Sequence, residues 1–151
     1  EQSEELIQSS DLAEKQAKLV RQNSFDARRD MFLRASRFII EDLNSTAIDL
    51  NRLLDNVGSQ KLWPRLARGE KGIFVKSMLQ EDARHARDVI KGKSEGDDNF
   101  RKYVQRYLDH FERLLNEANE SDPENLLSST FLSADIGKLY LVLARSVGRL
   151  N

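Results

Sequence analysis

Apolar residues recur at Phe32, Ala35, Ile39, Leu43, Ala47, Leu50, Leu54 and Val57, one face of a 3.6-residue period held over many turns. The pattern predicts a long helix with Ser24 as N-cap and Gly58 as stop, bent where Asn44, Ser45 and Thr46 form helix poorly. Phe38, Ile40 and Ile48 fall off that face, so both sides of the helix need cover. Either it is the central helix of a bundle, or part of it meets another chain. Ser59 can cap a short helix through Leu62, Trp63 and Leu66, with Pro64 tolerated in the first turn. Gly69 and Gly72 bracket a turn, and the next helix, through Phe74, Met78, Ala83, Ala86 and Ile90, is expected to stop at a loop over 92–96.

The clearest amphipathic helix follows an Asp97 or Asp98 cap, with Phe100, Val104, Tyr107, Phe111, Leu114, Leu115 and Ala118 on one stripe. Asp122-Pro123 marks another start, leading through Leu126 and Leu127 to a break near Ser133. The last helix carries Ile136, Leu139, Leu143, Val147 and Leu150. No segment alternates with period two between turn signals. The expected fold is therefore all-α: a single-domain bundle of five or six helices over 23–151, with a hydrophobic C-terminal helix near its centre. Residues 1–22 read as a helical or disordered leader. There Leu6, Ala13 and Val20 lie seven apart, as do Leu12 and Leu19, a weak heptad signal for the end of a coiled coil.

Composition narrows the chemistry. The chain has no cysteine, which removes disulfides, thiolate catalysis and cysteine-ligated zinc. Its most apolar run, Phe131 to Leu150, is interrupted by Asp135, Lys138 and Arg145, so this segment is not expected to insert in a membrane. The chain reads as soluble and, beginning at Glu1 rather than methionine, as a piece of a longer protein. Residues 61–93 carry nine basic and four acidic groups, and residues 94–126 four and nine, which lets neighbouring helices attract one another. A candidate basic patch of Lys61, Arg65, Arg68, Lys71 and Lys76 surrounds Trp63, but the net charge of −1 disfavours nucleic acid, and Trp63 is expected in the core.

Catalytic and metal signatures fail on spacing. His85 and His110 have no second ligand at a zinc-helix interval, and Gly137-Lys138 lacks both the leading glycine and the following hydroxyl of a phosphate loop. Adjacent carboxylate pairs such as Glu41-Asp42 diverge on a helix. No cofactor is expected and no enzyme activity is assigned. An alternative keeps a small-molecule or catalytic pocket open, because Tyr103, Arg106, Tyr107 and His110 lie within two helical turns.

Four blocks taken together, 42–55 (DLNSTAIDLNRLLD), 62–79 (LWPRLARGEKGIFVKSML), 100–118 (FRKYVQRYLDHFERLLNEA) and 131–150 (FLSADIGKLYLVLARSVGRL), resemble the C-terminal globular region of very long coiled-coil-rich proteins of alphaproteobacteria. These are described as kinesin-like or apolipoprotein-like and include growth pole ring proteins and related polarity scaffolds. Pro64 and Leu66 depart from the more polar and aromatic residues expected there. The resemblance implies a non-catalytic terminal module on a cytoplasmic rod that can be membrane-anchored and polar, and it carries over no active site. The function expected is assembly, by self-association or by docking a protein partner. The candidate partner-facing residues are Phe38, Ile40, Ile48, Trp63, Leu141 and Val142.

Overall fold

Helices account for nearly all of the chain in a computed structural model that describes residues 2–54, 59–80, 82–122 and 126–150. Eight α-helices occur among the described residues, rather than five or six: α1 (Gln2–Ala35), α2 (Arg37–Leu53), α3 (Trp63–Ala67), α4 (Ile73–Leu79), α5 (Ala83–Gly96), α6 (Asp98–Ser121), α7 (Leu126–Ser133) and α8 (Asp135–Ser146). A 3-10 turn, Ser59–Lys61, precedes α3, and no strand is present among the described residues. The chain divides into two compact units, residues 1–35 and 36–151.

The first unit is one helix. Ser24 lies inside it rather than capping a new one, and its carbonyl accepts from Arg28 Nε at 3.4 Å. Local ion pairs from Arg29 to Asp26 and Asp30, at 3.8 and 3.9 Å, decorate its surface.

The second unit opens at Ser36, whose φ of −93° and ψ of 2° leave the helical basin. The break in the long apolar pattern therefore falls there and not at Asn44 to Thr46, through which α2 runs uninterrupted. The end assigned to Gly58 lies outside the described residues. α2 buries Leu43, Thr46, Ala47, Leu50 and Asn51. Asn51 Nδ2 donates to the carbonyls of Ala47 (2.9 Å) and Phe74 (3.0 Å), tying α2 to α4 through a buried amide.

What reads as one helix from Phe74 to Ile90 is two. Asp82 accepts from Arg84 N at 3.1 Å and starts α5 afresh. The loop expected over 92–96 is instead the last turn of α5, since Gly92 and Gly96 keep helical backbone at a propensity cost of about 1 kcal/mol each. The stop is Asp97, whose Oδ1 accepts from Asn99 N (3.0 Å) and Phe100 N (3.2 Å) and so begins α6.

α6 buries Phe100, Val104, Tyr107, Leu108, Phe111, Leu114 and Ala118, adding Leu108 to the predicted stripe and leaving Leu115 half-buried. Each large apolar side chain removed from water contributes about 1.5–3 kcal/mol, so this helix anchors the core. It packs against α2, α5, α7 and α8, and α8 in turn meets α4, α5, α6 and α7. Three polar ties join α6 to the C-terminal segment. Tyr107 donates to the Ile136 carbonyl at 2.7 Å, Tyr140 donates to Glu112 at 2.8 Å while stacking on Phe111 at 4.7 Å, and Arg149 reaches Asp109 and Glu112.

Between α7 and α8 the chain bends by 75° at Ala134. The corner depends on Gly137, because a Cβ there would sit 2.2 Å from the Phe131 carbonyl oxygen and 2.6 Å from Leu132 Cα. Among the described residues no single helix is long and apolar enough to cross a membrane, and Leu127, Leu139 and Leu143 of the bent pair are buried inside the unit. α8 ends at Ser146. Gly148 (φ 77°) turns the chain so that the N–H groups of Arg149 and Leu150 reach the Ala144 carbonyl. Val147 and Leu150, expected on the buried face, therefore lie beyond the helix and are exposed.

Candidate functional site

The outer face of α2 gathers several of the predicted residues. Phe38, Glu41, Ser45 and Ile48 follow one another at helical spacing, and Glu41, Asn44, Ser45 and Ile48 form one wall of a shallow groove of about 220 Å³. Leu66 of α3 and Lys71 of the following turn form the other. Phe38 stands a turn away with 79% of its surface exposed, and Ile48 is half-buried. Gly69, at φ 104°, makes the turn that presents Lys71.

Trp63 is not a core residue. It is 47% exposed and touches Phe74 edge-on at 5.1 Å. The physical reason is the brevity of α3: a helix of five residues opened by Pro64 buries none of its own side chains and rests on α4 by one ring edge. Ile40, Leu141 and Val142 are all half-buried, the last two beside fully covered Leu139 and Leu143. Phe38 is thus the most open of the predicted partner-facing residues.

The basic patch is on the surface. Arg65 is committed to Glu70 at 2.6 Å, an exposed pair that draws the arginine pKa up and the carboxyl down. Lys61, Arg68, Lys71 and Lys76 are exposed and make no ion pair among the described residues.

Tyr103, Arg106, Tyr107 and His110 do not converge on a cleft. The Tyr107 hydroxyl is buried, its ionisation pushed upward by desolvation. Arg106 grips Asp42 of α2 with Nε and Nη2 at 3.2 and 2.5 Å, and His110 Nδ1 approaches the same carboxylate at 2.5 Å, off the line of a well-formed hydrogen bond. Burial works against charge on Asp42, but the Arg106 hydrogen bond and the nearby His110 and Arg106 charges outweigh it, so its pKa falls below the ordinary value. The arrangement clamps α2 to α6. His85 is exposed, and no metal-ligating cluster occurs among the described residues.

Two features go beyond the sequence reading, which had residues 1–22 as a helical or disordered leader. α1 is a continuous helix with Leu12, Leu19, Val20 and Met31 between 58% and 70% exposed. A second cleft of about 520 Å³ lies between α5, α6 and the end of α8, where basic residues far apart in sequence meet. Only the heptad spacing hinted at the first; only folding assembles the second. Searches against protein-family models, curated proteins and solved structures find no significant match to this chain.

Proposed function

We propose that this chain is a non-catalytic assembly module at the end of a coiled-coil rod, in which α1 pairs with α1 of a second copy and residues 36–151 form the head. The observation that carries the reading is the exposed heptad seam of a helix that constitutes its own unit. Ala13, Val20 and Ala27 lie seven apart, with Ala17, Ser24 and Met31 at the interleaved positions. Val20 is 64% and Met31 70% exposed. An isolated helix gains most of its stability from packing an apolar face, and the positions from Ala13 to Met31 offer a seam of about 27 Å. The small alanine and serine positions let two such helices approach closely. The family resemblance of the head to the terminal regions of polarity scaffolds agrees with a rod-end position and extends the proposal to a polar, membrane-anchored setting in the cytoplasm. Phe38 and the α2–α3 groove are the part of the head offered to a protein partner.

Light scattering of the full chain over a concentration series tests the pairing. The expected result is a dimer that Val20→Glu converts to monomer while Phe38→Glu leaves it intact. A chain that stays monomeric at the highest concentration rejects self-association.

A further inference from the structure

We propose that the cleft between α5, α6 and the α8 terminus is a binding site for a phosphate-bearing organic anion, separate from α1 pairing and from the α2–α3 groove. Four cations line it, Lys91 and Arg101 from one side and Arg145 and Arg149 from the other, against a single carboxylate, Glu95. Asp98 pairs with Arg101, and Asp109 and Glu112 with Arg149, from outside the lining, so Lys91 and Arg145 supply the unpaired positive charge. The volume, about 520 Å³, falls in the range of small-molecule sites, and exposed Val147 gives it apolar wall for the uncharged part of a ligand.

The cations retain free capacity. Lys91 and Arg145 are exposed and have no ion-pair partner among the described residues. Arg149 uses Nη1 on Asp109 and Glu112, leaving Nε and Nη2, and Arg101 uses Nη2 on Asp98 and Nη1, at 3.5 Å, on the Ser94 carbonyl, leaving Nε. Guanidinium groups held in place by carboxylates are pre-oriented for the paired hydrogen bonds that phosphate oxygens accept.

Ser94 closes one side of the cleft. It is 5% exposed, yet its Oγ has no hydrogen-bond partner, although a helical serine ordinarily bonds the carbonyl four residues back. What Ser94 offers at the cleft is its carbonyl, which accepts from Arg101 Nη1 at 3.5 Å and helps hold that guanidinium in place.

The test is calorimetric titration of the full chain with inorganic pyrophosphate, with sedimentation on phosphatidylcholine vesicles with and without phosphatidic acid as a second arm. Saturable pyrophosphate binding is expected, weakened about tenfold or more in Lys91→Ala/Arg145→Ala and held within about twofold in the charge-matched control Lys61→Ala/Lys76→Ala. Binding to phosphatidic acid vesicles alone, lost in the first double variant only, assigns the same chemistry to a lipid headgroup. Equal losses in both double variants, or no saturable binding of either probe, overturns the proposal.

Discussion

α1 and α6 are both long, highly charged helices, of 34 and 24 residues, yet only α6 is covered by its own unit. The difference lies in what occupies the apolar positions. α6 places phenylalanine, tyrosine, leucine and valine at successive core positions and buries six of them, together with Ala118. The seam of α1 relies on alanine and serine, with Val20 and Met31 as its larger described members, and these stay in solvent. Side-chain volume at the stripe, not charge content or length, separates the helix that builds a core from the one whose seam stays exposed.

The sharpest way to break this comparison is to remove volume from α6. Phe111→Ala, which also strips the stacking partner of Tyr140, should lower unfolding free energy by about 3–5 kcal/mol in urea denaturation. A loss below about 1 kcal/mol would mean that α6 is not the anchor described. Next in size is Asp42→Asn, which loosens the α2–α6 clamp and should cost about 1 kcal/mol, since Arg106 remains half in water. Because the folded pKa of Asp42 is depressed, its contribution is present above the unfolded value of about 3.9 and is lost as pH falls through the lower folded value. Wild type and Asp42→Asn should therefore converge in stability in acid. A constant gap across that window contradicts the clamp. The smallest effect belongs to α1. Val20→Glu should shift the unfolding midpoint of the head by no more than about 0.5 kcal/mol at concentrations where the chain is monomeric, as read by circular dichroism.

The same contrast explains what was legible in the sequence. The all-helical class, the α6 stripe and the apolar faces of α2 and α8 follow from periodicity, which is a local property. Helix ends were less legible. The Asp97 cap was legible, whereas Asp82, which caps α5 through the Arg84 N–H, was not, and Gly92 and Gly96 stay helical where a loop was expected. Ser36 breaks a period that continues straight through it. The Asp42–Arg106 clamp joins residues 64 apart in sequence, and the basic cleft draws on three helices. Such constellations depend on packing geometry, so no spacing rule along the chain reveals them. Trp63 is the instructive residue, for hydrophobicity assigns it to the core while the shortness of α3 leaves it at the surface.

That placement makes Trp63, the single tryptophan, a local optical reporter. Half its surface is in water and one edge rests on Phe74, so its emission follows the α3–α4 corner and not the α6 core. A partner that seats on the neighbouring surface should shift the emission to the blue without any added label. Fluorescence and circular dichroism, recorded on one denaturation series, then distinguish opening of that corner from collapse of the bundle.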